Sequence, residues 1–135
     1  MAASSPSPSP KMIKLVSKDW KEFIVEESVA KVSGFIKESI EHGSTIITLD
    51  KTKAEVLEKV IKYCEKHAQD EYRKNWIPNL ANLNLETLIG LFQAAHYLCV
   101  KGLMDSIYKQ IKDITGGNIP EDIRMLHFVP EENPE

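Results

Sequence analysis

Two cysteines and four histidines are the side chains of this sequence best suited to bind a metal. Cys64 and His67 lie three residues apart in a predicted helix, which places a thiol and an imidazole on one face. A structural zinc site takes four such ligands, and the sequence has no second pair at the usual spacing. We interpret Cys64 as a packed residue and His67 as a surface residue, and predict neither a metal nor a cofactor.

The patterns that would indicate catalysis are equally weak. Gly116-Gly117 follows a predicted helix, whereas a phosphate-binding loop opens a helix after a strand. The carboxylates of Glu26-Glu27 stand in polar surroundings typical of solvated side chains, not of an acid–base pair. The sequence also lacks the Gly-x-Ser-x-Gly elbow of many hydrolases. We therefore predict that the protein is not an enzyme.

Length, charge and composition restrict the class of protein further. The chain has 135 residues, 42% of them hydrophobic, which suits a single domain with one core. Its formal charge is −3, with acidic and basic residues interspersed, so we expect no nucleic-acid partner. No window approaches the roughly 18 apolar residues of a membrane span, so we expect no membrane association. We expect Cys64 and Cys99 to be buried free thiols in the reducing nucleus and cytoplasm.

The first half of the chain predicts three strands. Ile13 and Leu15 alternate with outward-facing positions before a turn at residues 19–21, which predicts a β-hairpin. The run from residue 45 to residue 49 is short and rich in β-branched side chains, which predicts the third strand.

Five helices are predicted around and after these strands. Ser28 is the expected N-cap of the first, which ends where Gly43 permits a left-handed backbone. Thr52 and Glu55 fit a capping box at the start of the second. A loop is expected over residues 70–83. Three further helices are expected: from Asn84 to near Val100, from about Gly102 to Gly116-Gly117, and from Pro120 onward. The order β-β-α-β-α-α-α-α predicts an α+β fold.

The helix after Gly102 carries more apolar residues than one face of a small domain needs. Exposed apolar patches of this kind usually mark a partner site. A buried bundle would produce the same periodicity, so the sequence alone leaves both interpretations open. The apolar positions are Leu103, Met104, Ile107, Tyr108, Ile111 and Ile114.

The stretch AAHYLCVKGLMD at residues 94–105, preceded by LETLIGLFQ and followed by GGNIPEDIR, resembles the Skp family of F-box adaptors in SCF cullin-RING ubiquitin ligases. IKLVSKDWKEFIVEESVA and VLEKVIKYCEKH also look like family segments. The resemblance covers residues 12–128. It implies a BTB/POZ domain over residues 11–100, with a three-stranded sheet and helices, followed by C-terminal F-box-binding helices over residues 101–128. We expect a disordered Ser/Pro tail at residues 1–10 and a flexible tail at residues 129–135.

The resemblance also implies two partner surfaces and a non-enzymatic adaptor function in ubiquitin-dependent protein degradation. His96 and Tyr97 would face the N-terminal domain of a cullin, although Tyr97 could also be an ordinary half-buried tyrosine. A homodimer is a further possibility when no F-box protein is bound. The residues implied to face the F-box are Leu103, Ile107, Ile111, Ile114 and Ile123.

Three departures from the family pattern qualify this function. His96 replaces an asparagine, and Ile119 replaces a threonine that could cap the last helix. After Arg124 the family continues into a final helix that clasps the F-box, whereas this sequence reads MLHFVPEENPE, so we expect a truncated F-box-binding region. The alternative function is a BTB-type interaction module that self-associates or competes for one partner. A third hypothesis, a small hydrolase or metalloprotein, is supported only by Cys64 and His67.

Overall fold

The computed structural model describes residues 11–69 and 80–127. The two predicted tails and most of the predicted loop at residues 70–83 lie outside these residues. The elements are β1 (Met12–Val16), β2 (Glu22–Glu26), α1 (Glu27–Ala30), α2 (Gly34–Glu41), β3 (Ile46–Thr48), α3 (Ala54–Gln69), α4 (Leu85–Tyr97), α5 (Lys101–Thr115) and α6 (Glu121–His127). The predicted α+β class is confirmed.

The three strands form one sheet in the order β2-β1-β3. Strand β1 pairs antiparallel with β2, with Leu15 opposite Phe23, and parallel with β3, with Leu15 opposite Ile47. Ile13 and Leu15 are buried, because alternate residues of a strand face the helices. The predicted hairpin and third strand are therefore confirmed.

The predicted helix from Ser28 to Gly43 is wrong in its continuity. Ser28 lies inside the short helix α1, and the N-cap of α2 is Ser33, whose Oγ accepts a hydrogen bond from the Ile36 N–H at 3.1 Å. The reason is local, since a serine side chain that satisfies a helix N-terminus favours a new start over continuation. The predicted end is confirmed, because Gly43 has φ +96°.

The predicted capping box at the start of α3 is also wrong. The Leu57 N–H donates to the Lys53 carbonyl, so Lys53 is the N-cap and Thr52 lies one residue too early. Within the described residues, the buried Thr52 Oγ1 has no hydrogen-bond partner. The first-turn N–H of Ala54 instead donates to Asp19 Oδ1, at 2.8 Å, from the β1–β2 turn.

The later helices start and stop close to the predicted positions. The side chain of Asn84 accepts from the Thr87 N–H at 2.8 Å and caps α4. Gly116, with φ +64°, ends α5. Helix α5 packs on α4, and α6 contacts both. The core is continuous from the sheet to α6, and its largest fully buried side chains include Ile13, Leu15, Leu57, Phe92, Leu98 and Ile107.

Candidate protein-binding surfaces

Tyr97, the last residue of α4, is half-buried beside two different contacts. Its ring centroid lies 5.0 Å from that of Phe35, with the planes tilted by 35°. The Nζ atom of Lys51 lies 5.4 Å from the centroid of the Tyr97 ring, which is cation–π distance. His96, the other residue predicted to face a cullin, is exposed next to it. The two residues therefore remain accessible to a partner.

The position of Tyr97 is fixed by the docking of α2 onto the end of α4. The N–H groups of Gly34 and Phe35 donate to the carbonyls of Cys99 and Leu98, at 3.1 and 3.2 Å. The Ser33 hydroxyl donates to the same Leu98 carbonyl. Free N–H groups at one helix start thus satisfy free carbonyls after another helix end. This arrangement holds Phe35 against Tyr97.

A cleft of about 410 Å³ opens beside Tyr97, between α4 and the loops that precede β2 and α3. We call it the Tyr97 cleft and define it by three lysines and three apolar contributors. These are Lys18, Lys51, Lys53, Val56, Ala94 and Tyr97.

The Tyr97 hydroxyl remains protonated at physiological pH. Burial raises the pKa of Tyr97 above its ordinary value of 10.0, and the negative charge of Asp50 raises it further. The neutral phenol can donate one hydrogen bond to a partner and present its ring as apolar surface. Amphipathic aromatic residues of this kind often anchor protein interfaces.

The second predicted surface, on the C-terminal helices, is arranged differently. Leu103 is 2% exposed, and Ile107, Ile111 and Ile123 are fully buried in the chain's own core. Ile114 alone among the five predicted F-box-facing residues is well exposed, at 46%. The apolar stripe is covered because α5 turns it towards α4 and α6. In this structure, therefore, four of the five residues are covered by the chain's own helices.

A ring stack links α6 to α5. The rings of Tyr108 and His127 have centroids 3.8 Å apart and planes 12° apart, and the Phe92 ring lies 6.3 Å from each. His127 Nε2 also lies 3.3 Å from Asp105 Oδ1. These contacts hold α6 where Ile123 fills the core.

Several apolar side chains between the start of α5 and the end of α6 remain partly or largely exposed, and the sequence pattern did not identify Met125 among them. Met125 is 69% exposed, although the sequence offers no periodic signal for it. The others are half-buried and pack against the core, and two of them, Met104 and Tyr108, belong to the apolar stripe predicted from the sequence. They are Met104, Tyr108, Ile119 and Leu126.

Comparison with known proteins identifies the family to which this architecture belongs. The model of the "Skp1 family, tetramerisation domain" matches residues 11–69, from the start of β1 to the end of α3. "SKP1-like protein 11" of Arabidopsis thaliana is 36% identical and covers 92% of this chain and 91% of its own length. The chain belongs to the Skp1 family.

Other Skp1-family relatives match over a similar extent. "SKP1-like protein 1" of Oryza sativa subsp. japonica is 35% identical over 93% of this chain and 90% of its own length. "SCF ubiquitin ligase complex protein SKP1a" of Dictyostelium discoideum is 33% identical over 92% of this chain and 90% of its own length. These matches extend through both candidate surfaces, beyond the segment that the family model covers.

The two cysteines of this Skp1-family chain have different environments. Cys64 is buried, and burial raises the pKa of its thiol to about 12. The prediction that Cys99 is buried is wrong, because Cys99 is exposed at the end of α4. It has φ +57°, a left-handed conformation that turns the chain out of the helix and its side chain out of the core.

The described residues were compared with the requirements of a metal site and of a membrane-spanning helix. Residues 11–69 and 80–127 contain no group of three or more histidine, cysteine or acidic side chains that could hold a metal ion. Cys64 and His67 share α3, where the His67 ring lies 5.9 Å from the Tyr63 ring between centroids, with the planes tilted by 34°. None of the described helices is long and apolar enough to cross a membrane.

Proposed function

We propose that this chain is a non-enzymatic adaptor that joins a cullin to F-box proteins within an SCF-type ubiquitin ligase. The Skp1 family supplies adaptor subunits of such complexes, and the Dictyostelium relative is named as a protein of an SCF ubiquitin ligase complex. The observation that carries the proposal is the Tyr97 cleft, where a half-buried aromatic residue is held beside open space. We assign the cullin contact to His96 and Tyr97.

The F-box contact is proposed for the outer side of α5 and α6. Ile114 and Met125 provide the exposed apolar surface, and the half-buried Met104 and Tyr108 extend it. An amphipathic helix of an F-box would pack on such side chains, as in other helix-in-groove interfaces. Leu103, Ile107, Ile111 and Ile123 then support the surface from inside the core.

The adaptor works by position and performs no chemistry in this proposal. Simultaneous contact with a cullin and a substrate receptor raises the effective concentration of the substrate near the ubiquitin-charged enzyme. Both described cysteines are free thiols, which fits the proposed location in the reducing nucleus and cytoplasm.

Separate titrations against a cullin N-terminal domain and an F-box fragment test the proposal. Tyr97→Lys places a charge in the cleft and should abolish cullin binding while F-box binding persists. Ile114→Glu should weaken F-box binding and leave cullin binding intact. Circular dichroism and thermal midpoints verify that both variants remain folded, and Tyr97→Phe is the mild control for the ring without its hydroxyl.

The results separate the adaptor from the alternative function. Binding of both partners, with each variant affecting one of them, supports the adaptor. Cullin binding without F-box binding would instead identify a one-armed competitor. Sedimentation of the free protein, with and without the F-box fragment, tests the proposed homodimer, which should dissociate when the F-box fragment is added.

A further inference from the structure

All three charged residues that line the Tyr97 cleft are lysines. Lys18 follows β1, and Lys51 and Lys53 precede α3, so two separate loops contribute them. All three side chains are exposed. This local concentration of positive charge contrasts with the formal charge of −3 on the whole chain.

The chain provides no ion-pair partner for these lysines within its described residues. The ion pairs there involve Lys11, Lys14 and Lys31, together with the histidine of α6. Lys51 instead lies over the Tyr97 ring, a weak contact that a carboxylate could replace.

Two carboxylates lie near the cleft, Asp19 on the β1–β2 turn and Asp50 before α3, and Asp19 interacts electrostatically with Lys53. Asp19 Oδ1 accepts hydrogen bonds from the Ser17 hydroxyl at 2.6 Å and from the Ala54 N–H at 2.8 Å. It is therefore oriented towards the start of α3. Neither carboxylate forms an ion pair with a lysine of the cleft within the described residues, so the lysines remain available for charges supplied by another molecule.

Part of the cleft lining is apolar. Val56 and the Tyr97 ring are half-buried and Ala94 is buried, so they offer carbon surface at the base of the cleft. A fitting occupant combines an apolar side chain, which enters beside Tyr97, with carboxylates at its edge. Apolar centres surrounded by charged rims are common in protein interfaces, and rim charges mainly set specificity and association rate.

We propose that the protein segment bound in the Tyr97 cleft is acidic, with carboxylates that pair with Lys18, Lys51 and Lys53 around an apolar side chain. The inference rests on the proposed function, in which a cullin binds this surface. It adds that the bound segment of the cullin is negatively charged. Lys51 leaves the Tyr97 ring for a carboxylate of the partner, which uncovers the ring for the apolar contact. Binding is consequently faster and tighter at low salt than at high salt.

The experiment measures the association rate and Kd of a cullin N-terminal domain at about 50 mM and about 300 mM NaCl, a range over which screening changes strongly. The test variant combines Lys18→Gln, Lys51→Gln and Lys53→Gln. The matched control combines Lys62→Gln, Lys66→Gln and Lys109→Gln, which make the same change in net charge at exposed positions outside the cleft.

The test variant should bind on the order of tenfold more weakly at low salt, since each exposed ion pair contributes a small factor. Its salt dependence should be much flatter than that of the wild type, with most of the loss in the association rate. The control should match the wild type in both respects. Equal thermal midpoints for the three proteins exclude unfolding as the cause.

The outcomes distinguish this inference from the proposed function. Cullin binding that is equally strong and equally salt-dependent in the wild type and both variants would overturn the acidic-partner inference and leave the proposed function standing. No cullin binding by the wild type would remove both. Binding of a single-stranded oligonucleotide through the same lysines, without cullin binding, would also overturn the inference and indicate a nucleic-acid site.

Discussion

The Tyr97 cleft and the C-terminal helices present their apolar residues in opposite ways. At the cleft, a ring at a helix end stays half-buried beside open space and three lysines that have no ion-pair partner within the described residues. On the C-terminal helices, most of the apolar stripe is buried in the chain's own core, while Met104 and Tyr108 stay half-buried and Ile114 is exposed. The apolar stripe of α5, which the sequence offered as a possible partner surface, therefore faces mainly the core. Substitutions of the buried residues on the C-terminal helices should therefore mainly affect stability, whereas substitutions of exposed side chains in either region should mainly affect binding.

The largest difference in the free energy of unfolding is expected between alanine substitutions at two isoleucines of α5. Ile107→Ala removes a fully buried side chain and should lower the free energy of unfolding by about 2–5 kcal/mol. Ile114→Ala, seven positions along the same helix, changes a side chain that is 46% exposed and should cost less than about 1 kcal/mol. Urea unfolding measures both values. Similar losses for the two variants would contradict the burial pattern.

A close approach of α5 to α3 provides the next largest effect. A Cβ atom added at Gly102 would overlap the Tyr63 hydroxyl oxygen, and Tyr63 is buried. Gly102→Ala should therefore cost about 1–3 kcal/mol, as overpacking does elsewhere. The same change in a Tyr63→Phe background should cost less, because the opposing oxygen is gone. A double-mutant cycle from urea unfolding measures the difference, and purely additive losses would argue against this contact.

On the cleft side, the capping contact of Asp19 predicts a pH-dependent effect. The Ser17 hydroxyl and the Ala54 N–H hold the pKa of Asp19 below its ordinary 3.8. Its contribution to stability is therefore present above pH 3.8 and is lost as the pH falls through the lower folded-state pKa. Asp19→Ala should lower the thermal midpoint at pH 7, and its deficit relative to the wild type should shrink in this acidic range.

Asp19→Asn is the matched control for that prediction. It keeps an oxygen that can accept the Ala54 N–H but removes the charge, so it should recover part of the midpoint without restoring the acid dependence. Thermal scans of the three proteins across the acidic range measure both quantities. A deficit in Asp19→Ala that stays constant as the pH falls would show that the carboxylate charge contributes nothing.

The caps of α4 and α3 illustrate how much of the fold the sequence could predict. Asn84 caps its own helix three residues away, so a local pattern identifies it. Asp19 caps α3 from 35 residues away, and Ser33 reaches the Leu98 carbonyl across 65 residues. Such contacts exist only after the chain has folded. The strands, the helix ends at glycine and the α+β class depend on local signals and were predictable.

The same distinction applies to the candidate surfaces. Tyr97 was identified because a family resemblance points to a short continuous stretch. The lysines of the cleft were missed, since Lys18 and Lys53 are far apart in sequence and individually resemble ordinary surface charges. The burial of Ile107 could not be decided from periodicity, because a stripe that faces a partner and a stripe that faces α4 have the same spacing.

The smallest expected change in stability is at Thr52, and its sign shows whether the Thr52 hydroxyl caps α3. The Thr52 side chain is buried, and its hydroxyl has no partner within the described residues, so it contributes a desolvation cost without a compensating bond. Thr52→Val keeps the shape and removes the hydroxyl, and should leave the free energy of unfolding unchanged or raise it by up to about 1 kcal/mol. A capping box would predict a loss of about 1 kcal/mol instead. Thr52→Ser keeps the hydroxyl and removes a buried methyl group, so urea unfolding should find it less stable than Thr52→Val; the reverse order would return the capping function to Thr52.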